Sequence, residues 1–275
     1  MQESLRKVIV TSFDENYMDY CRVMLHTLSI NYHGVDPLDV ICLVPANILH
    51  MQNEYVDKLS ATNLNISFAT SEKYLSMVNE GIDTSHKDAA SNCNHRMFIG
   101  SVCKDYDVAI YIDPDTIIMR DISPLLTYPL RNDFMAMAEV TDANMVSFND
   151  PDRPYFSNGV FIADLNFWRR ELIEDKLIDL IKNGGPLFLA EQDAMNVILI
   201  DYWSPLPMSF NMFDWMVYAN PHIAEANNNP LIVHFVGVEK PWKSRTITPY
   251  SNYWRKIYSD FSSKDSQISN MNSAQ

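Results

Sequence analysis

The chain has 275 residues, of which 47% are hydrophobic and 12% aromatic, so it can bury a sizeable core and a largely disordered chain is excluded. Its 21 basic and 35 acidic residues give a net charge of −14, which argues against nucleic-acid binding. Its seven glycines form neither G-x-G-x-x-G nor G-x-x-x-x-G-K, so a bound nucleotide would need a metal ion or local cations to neutralise its phosphates.

The first seventy residues alternate short apolar runs with helical patterns. Strands are predicted at three apolar runs, 7–12, 39–44 and 65–69. Helices are predicted between them at 16–33 and 51–61, where apolar residues recur every three or four positions. This order of strand, helix, strand, helix, strand is typical of a parallel α/β sheet.

The rest of the chain continues the alternation after a polar, aperiodic segment at 70–91, which we expect to be a loop with at most one helical turn. Helices are predicted at 91–104, 166–182, 192–199 and 252–261. Strands are predicted at 108–112, 134–139, 160–164 and 231–235. We therefore expect one α/β domain over 1–261, with a mixed, mainly parallel central sheet flanked by helices. A polar, disordered tail is expected at 262–275.

Location is indicated by what the sequence lacks. No apolar run approaches the roughly 20 residues of a membrane-spanning helix, and residues 1–12 are too short and too mixed for a secretory signal. The cysteines include no C-x-x-C pair and lie in apolar settings; they are Cys21, Cys42, Cys93 and Cys103. We expect reduced, buried thiols and a soluble, cytoplasmic protein.

Two aspartates follow the clearest of the predicted strands. Asp113 and Asp115 flank Pro114 directly after 108–112. Alternate side chains of extended backbone point the same way, and a proline keeps the residue before it extended, so both carboxylates project together. Open α/β sheets bind ligands at the carboxyl ends of their strands. The pair predicts a divalent-metal site, and the alternative is a turn in which one aspartate caps the next helix.

A second candidate segment, HFVGVEKPW, spans 234–242 at the end of the last predicted strand. His234 can ligate a metal, Gly237 lets the backbone approach a ligand closely, and Lys240 can reach a phosphate. The alternative is a buried histidine bonded to a carbonyl, followed by a turn and a solvated lysine.

Two polar segments stand where predicted elements begin. Glu191, Gln192 and Asp193 open a helix, where they either complement the helix dipole or face a cleft. Residues 11–17, TSFDENY, join the first strand to the first helix, a usual ligand position. There Tyr17 can stack on a base or belong to the core, and Asp14 can bind a ligand or cap a helix.

Five ordered segments together resemble glycosyltransferase family 8, the group of glycogenin and bacterial lipopolysaccharide galactosyltransferases. They are TSFDENY, IYIDPDT, YFSNGVFIADLNFWRR, EQDAMN and HFVGVEKPW. The last is the most specific, because family members typically read H-x-x-G-x-x-K-P-W there. The resemblance covers about residues 7–243. It implies a single Rossmann-like GT-A catalytic domain that moves glucose or galactose from a UDP-sugar to an acceptor hydroxyl, with retention of the anomeric configuration.

The resemblance also implies roles for individual residues. Mn²⁺, with Mg²⁺ as a substitute, would be held by Asp113, Asp115 and His234 and would bridge the donor's diphosphate. The other donor contacts would come from Thr11, Ser12, Asp14, Asn16, Tyr17, Arg96, Pro114, Ser157, Asn158, Glu191, Gln192, Gly237 and Lys240. Among these, the catalytic residues would be Lys240 at the phosphates and Glu191 and Gln192 in the sugar pocket.

Two positions depart from the family pattern. The family usually reads F-N-[SA]-G where this chain has F-S-N-G at 156–159. In a strand, this shift turns the amide of Asn158 to the opposite face unless the backbone moves, and Ser157 would then take over its sugar contact. Glu191 replaces the more common aspartate, and the added methylene can alter which hexose fits.

The acceptor stays open, as do the oligomeric state and the choice between double displacement and front-face attack. A glycan, a lipid-linked sugar, a polyol or a protein could each accept the sugar, and fold does not decide among them. A non-catalytic nucleotide-sugar or glycan-binding relative and a self-glucosylating, glycogenin-like protein are the alternatives. A sugar-1-phosphate nucleotidyltransferase would carry a glycine-rich basic loop where this chain has TSFDENY.

Overall fold

Ten strands form two sheets in this computed structural model, which describes residues 5–59, 61, 63–79, 93–130, 135–139, 154–183, 190–226, 228–243 and 247–272. The strands are β1 (Lys7–Ser12), β2 (Leu38–Leu43), β3 (Leu64–Ala69), β4 (Val108–Ile112), β5 (Thr116–Ile118), β6 (Met135–Glu139), β7 (Phe156–Asp164), β8 (Trp203–Leu206), β9 (Met212–Phe213) and β10 (Ile232–His234). Seven of them form the large sheet in the order β3-β2-β1-β4-β7-β6-β8. The other three form a small sheet in the order β5-β10-β9.

The large sheet is mixed and mainly parallel, as predicted. The pairs β3–β2, β2–β1, β1–β4 and β6–β8 are parallel, whereas β7 runs antiparallel to both β4 and β6. The side chains of β1 alternate between two cores, because Val8 and Val10 pack with Trp168 on one face and Ile9 packs with Met24 on the other. A strand buried on both faces reads as a continuous apolar run, which is why the sequence of β1 predicts it well.

Helices flank both sheets. They are α1 (Met18–Ile30), α2 (Gln52–Leu59), α3 (Glu72–Asn79), α4 (Ile99–Val102), α5 (Ser123–Leu126), α6 (Leu165–Arg170), α7 (Ile173–Asn183), α8 (Ala190–Ile198), α9 (Met216–Ala219), α10 (Pro221–Ala226) and α11 (Pro249–Asn272). Short 3₁₀ helices span Glu15–Tyr17, Ala46–Met51, Cys93–Phe98 and Met208–Phe210.

Several elements differ from the predicted ones. The expected helix at 166–182 is two helices, because Leu172 adopts a left-handed backbone with φ of 52° between α6 and α7. The expected loop at 70–91 contains α3, and its remaining residues lie outside the described part of the chain. The expected helix at 91–104 is a 3₁₀ segment followed by α4. Residues 91 and 134, at which predicted elements begin, also lie outside the described residues.

The closing helix extends further than expected. It was predicted to end at Phe261, but α11 continues to Asn272, so residues 262–272 are helical where a disordered tail is expected. No glycine or proline occurs between 262 and 272 to end a helix that already packs through its first three turns. Residues 273–275 lie outside the described part.

The topology places a crevice at the carboxyl ends of β1 and β4. The chain passes from β1 to β2 and β3 on one side, whereas β4 joins β1 on the other side, so the strand order reverses between β1 and β4. Open α/β sheets bind ligands at such a switch point. The short strand β5 continues from β4 and links the large sheet to the small one.

The absence of a membrane-spanning helix and the reduced state of the cysteines are both expected from the sequence. Within the described residues, no helix combines the length and the apolar character that crossing a bilayer requires. Cys21, Cys42 and Cys103 are free and buried, as predicted, and the side chain of Cys93 lies outside the described part.

Candidate functional site

The small sheet brings His234 to the aspartate pair. Thr116, the residue after Asp115, is the register partner of His234 in the antiparallel pair β5–β10. The His234 Nε2 atom lies 3.1 Å from Asp115 Oδ1 and 3.5 Å from Asp113 Oδ2. One ligand atom from each of the three residues lies within 4.8 Å of the others. Two carboxylates and an imidazole so close together suit a divalent ion such as Mn²⁺.

Gly159 makes room for this triangle. A Cβ at this position would lie 2.2 Å from His234 Cε1 and 2.8 Å from Asp113 Oδ2. The Asp113 backbone N–H donates to the Gly159 carbonyl oxygen at 2.8 Å, which holds the two segments together. Any larger residue would therefore displace the imidazole or the carboxylate.

Each aspartate has its own cation. The Arg96 guanidinium lies 2.9 Å from Asp113 Oδ1, and Lys240 Nζ donates to Asp115 Oδ2 and to the Phe235 carbonyl oxygen. Burial raises the pKa of Asp115, but His234 and Lys240 more than offset that effect and hold the pKa well below its usual value. Arg96 and Lys240 therefore offset the charges of the two aspartates within a protein whose net charge is −14.

A tyrosine on β4 supports Asp113. Tyr111 lies two residues before Asp113 on the same strand face, and its hydroxyl donates to Asp113 Oδ1 at 2.9 Å. The Ser12 hydroxyl lies 2.6 Å from that of Tyr111, and it must donate because the Tyr111 proton already points to Asp113. The Arg96 guanidinium stacks 4.7 Å above the Tyr111 ring. Ser12, a predicted donor contact, therefore reaches the site through Tyr111.

Gln192 is held at both ends of its amide. Its Oε1 accepts from the Asn158 backbone N–H at 3.2 Å, and its Nε2 donates to the Tyr155 hydroxyl at 3.0 Å. The Tyr155 hydroxyl in turn donates to Asp193 at 2.6 Å. These bonds leave one lone pair and one N–H of the amide for a ligand.

Asn158 faces the site in spite of the shifted motif. Arg96 donates to its carbonyl oxygen at 2.9 Å and to its Oδ1 at 3.1 Å. The pairing of β7 with β6 changes register between Met137 and Ala138, so the strand is irregular near this residue. Ser157 lies buried beside it, with its Oγ accepting from the Gly159 N–H at 3.4 Å. The expected loss of the amide from the site is therefore not seen.

Glu191 lies buried next to this cluster. Burial raises the pKa of its carboxyl group, while Arg96 and the Asn158 side chain favour the ionised form. Its position at the start of α8 also allows the capping interpretation.

The N-terminal segment is only partly drawn to the site. The Thr11 side chain is fully buried beside the Cys21 thiol of α1. Asp14 accepts from the Tyr17 N–H at 3.1 Å and from Asn16 Nδ2 at 3.1 Å, so it caps the 3₁₀ helix. Tyr17 is half-buried and meets Trp242 edge-on, with 5.6 Å between the ring centroids.

The turn after β10 has the conformation that its glycine allows. Gly237 has a φ of +88°, a left-handed value, and lies exposed between His234 and the buried Lys240. Pro114 is buried between the two aspartates. Both residues therefore border the triangle through their backbone.

Several side chains of the site were not predicted. Tyr111 could have been found, because it shares a strand face with Asp113 and Asp115. Tyr155 and Asn211 gave no signal, since their contacts depend on the packing of α8 and of the small sheet. Asn211 Oδ1 lies 2.9 Å from His234 Nδ1.

Sequence comparisons match most of the chain to one protein family. The family model described as glycosyl transferase family 8 matches residues 8–246. General stress protein A of Bacillus subtilis (strain 168) is 33% identical over 194 residues, which cover 63% of this chain and 66% of that protein. Glycosyltransferase GlyA of Streptococcus pneumoniae serotype 4 is 24% identical over 255 residues, covering 92% of this chain and 35% of GlyA. The match therefore spans less than two thirds of the length of these relatives.

Solved structures match at the level of the fold. The galactosyltransferase LgtC in complex with donor and acceptor sugar analogs has a TM-score of 0.71 at 16% identity, covering 92% of this chain and 95% of LgtC. The apo structure of the bifunctional WbbM has a TM-score of 0.71 at 19% identity, covering 95% of this chain and 50% of WbbM. Both likenesses therefore cover more than nine tenths of this chain.

Proposed function

Because the chain belongs to glycosyltransferase family 8 and has the GT-A fold, we propose that it transfers a hexose from a UDP-sugar to an acceptor hydroxyl with retention of the anomeric configuration. The observation that carries the proposal is the triangle of Asp113, Asp115 and His234, with Arg96 and Lys240 on its two carboxylates. No glycine loop is present to bind a diphosphate, so this cluster is the part of the described chain suited to that task.

The metal ligands would be Asp113, Asp115 and His234, and the donor set fits Mn²⁺, with Mg²⁺ as a weaker substitute at the imidazole. When bound, the ion supplies positive charge that offsets the charge of the donor's diphosphate.

Lys240 acts on the leaving group. Breaking the bond between the sugar and the β-phosphate places additional negative charge on the departing UDP. The Lys240 ammonium, buried beside Asp115, donates to the phosphate oxygens as that charge grows and so stabilises the transition state more than the ground state. Because Gly237 has no side chain, the backbone at this residue can lie close to the same phosphates.

The sugar lies between Arg96 and α8. Gln192 presents its free lone pair and N–H to the hexose, and Glu191, Asn158 and Ser157 line the same pocket. A neutral amide is a poor nucleophile, so we favour front-face attack by the acceptor over a covalent intermediate. The leaving phosphate then takes the acceptor's proton.

The uridine lies toward the N-terminal segment. Tyr17 offers its ring to the base, and Asp14 and Asn16 offer hydrogen bonds to the base or the ribose. Ser12 contributes through Tyr111, and Thr11 contributes through its backbone because its side chain is buried on the α1 face.

The test is a screen of UDP-sugars with Mn²⁺, with UDP release as the readout. We expect turnover of UDP-glucose or UDP-galactose, and a loss of roughly a hundredfold or more in Asp115→Asn, since a metal contributes several kcal/mol to such a transition state. Asp105→Asn, at an exposed aspartate before β4, is the matched control and should behave as the parent.

Other outcomes would change the proposal. Binding of a UDP-sugar without UDP release would identify a non-catalytic binder. A gain of one hexose in the intact mass of the protein would make the chain its own acceptor. Equal rates for Asp115→Asn and the parent would overturn the metal assignment.

A further inference from the structure

The two ring nitrogens of His234 have different partners. Nε2 faces Asp113 and Asp115, and Nδ1 lies 2.9 Å from the side-chain oxygen of Asn211. A neutral imidazole carries one N–H and one lone pair. Because a carboxamide oxygen only accepts hydrogen bonds, this contact keeps the proton on Nδ1. A histidine that ligates a metal ion through Nε2 must keep its proton on Nδ1, and the Asn211 oxygen supplies the acceptor for that proton.

The contact is shielded from water and fixed by the backbone. Asn211 is 2% exposed and His234 is 5% exposed. Asn211 directly precedes β9, which pairs in parallel with β10 so that Phe213 is the register partner of His234. Its backbone N–H donates to the Met208 carbonyl oxygen at 3.0 Å. On another side, the ring lies against the Gly159 backbone, since a Cβ built on that residue would be 2.2 Å from His234 Cε1.

Stability alone does not explain an asparagine at this position. The Asn211 Nδ2 atom is buried and has no hydrogen-bond partner among the residues that the structure describes. Burying an amide group without a partner is unfavourable, and a leucine of similar shape would avoid that cost. The side-chain oxygen of Asn211, which contacts His234, is therefore the part of the amide that explains an asparagine at this position.

We propose that Asn211 is a positioning residue for the metal centre, which fixes the orientation and the Nδ1–H tautomer of His234 so that Nε2 is available as a ligand. The inference rests on the proposed function in that it takes Asp113, Asp115 and His234 as metal ligands. Hydrogen bonds from the second ring nitrogen of a ligating histidine commonly set its orientation, and their loss costs about 10–100-fold in metal affinity.

The test compares two substitutions by Mn²⁺ titration of the full chain without any sugar donor. Asn211→Leu keeps the approximate shape and removes the acceptor, and we expect its Mn²⁺ affinity to fall about 10–100-fold. Asn211→Asp keeps an oxygen acceptor for the Nδ1–H group, and we expect it to bind Mn²⁺ about as tightly as the parent. Thermal unfolding of the metal-free variants shows whether each one folds.

The outcomes separate this inference from the proposed function. If the parent binds Mn²⁺, Asp115→Asn does not, and Asn211→Leu binds as tightly as the parent, the role of Asn211 is overturned while the metal site stands. If the parent itself does not bind Mn²⁺, both are overturned. If Asn211→Leu does not fold, Asn211→Ala makes the same comparison, because it removes the acceptor without placing a methyl group against the ring.

Discussion

At Gly159, a hydrogen atom is all that the site accommodates. Gly159→Ala would place a methyl group against His234 and Asp113, so the imidazole must move away from the carboxylates. We expect Mn²⁺ affinity to fall by roughly tenfold or more, as it does when a ligating histidine loses its orientation. The measurement is a Mn²⁺ titration of the folded variant.

Gly34→Ala is the matched control for this change. A Cβ there would also meet a neighbour, the Tyr32 hydroxyl at 2.0 Å, but that group is the far end of a side chain on an exposed turn and can move. The control should bind Mn²⁺ as the parent does. Equal affinity of Gly159→Ala and the parent would contradict the packing argument.

Lys240 is expected to matter for the rate more than for binding. Lys240→Gln removes the buried ammonium beside Asp115, and a lost electrostatic contact to a leaving oxygen costs about 10²–10³ in kcat. KM should change much less, because the charge on the phosphate grows only as the bond breaks. Steady-state UDP release gives both values.

Lys243→Gln serves as the comparison, because Lys243 is exposed three residues further along the same loop. Its kcat should match that of the parent. A tenfold rise in KM for Lys240→Gln at unchanged kcat would show that the lysine binds the ground state and transition state equally.

Single residues of the site were predictable only where local geometry decides their direction. Asp113 and Asp115 share a face because alternation is a property of any strand. Asn211 reaches His234 through the pairing of β9 with β10, and a strand of two residues has no pattern that a sequence can display. Regular strand alternation predicts the wrong face for Asn158, because the register shift between β6 and β7 depends on the pairing of two strands distant in sequence.

At the scale of elements, the 3₁₀ helix Cys93–Phe98 depends on a neutral histidine. His95 is buried, its Nδ1 lies 2.7 Å from the Ser71 hydroxyl just before α3, and burial lowers its pKa from 6.5 to about 4. The unfolded chain therefore binds a proton between these values that the folded chain does not. The contribution of His95 to the free energy of unfolding is therefore complete above pH 6.5 and decreases as the pH falls toward 4.

The loss can be measured by urea unfolding at pH 7.5 and pH 5. For this shift the free energy of unfolding should decrease by about 2 kcal/mol on His95 alone. His95→Gln, which stays neutral, should lose less between the two pH values, whereas His50→Gln, at an exposed position, should lose as much as the parent. The same pH dependence in His95→Gln and the parent would assign the effect to other groups.

Elements were predictable in proportion to their length and burial. The runs of β1 and β4 are apolar throughout because both faces are covered, and α1 shows a regular stripe. Strands β5, β8 and β9 have two to four residues and were missed. The break at Leu172 was also missed, because the apolar periodicity of α6 and α7 continues across it.

At the scale of the whole molecule, α11 supports the small sheet. Trp254, Ile257 and Phe261 pack with Val233 and Phe235, the residues on either side of His234. We expect truncation after Ser263 to leave the melting temperature and Mn²⁺ affinity nearly unchanged, since the packed side chains described for α11 end at Phe261. Truncation after Thr248 should expose this cluster and abolish cooperative unfolding.

Circular dichroism during heating distinguishes the two truncated chains. A stable, Mn²⁺-binding chain that ends at Thr248 would show that the small sheet holds His234 without α11. Loss of the melting transition in the longer chain would show that residues beyond 263 carry stabilising contacts.

The way His234 reaches Asp115 has a consequence for experiments that lack an acceptor. The ligand triangle joins segments far apart in sequence through a sheet of very short strands, so an unstructured chain cannot reproduce it. An ion that binds only the native form raises the free energy of unfolding, by about 2.7 kcal/mol at a hundred times the dissociation constant. The melting temperature therefore rises with the concentration of the ion. A thermal-shift series with Mn²⁺ therefore reports whether a variant still assembles its centre, before any sugar has been identified.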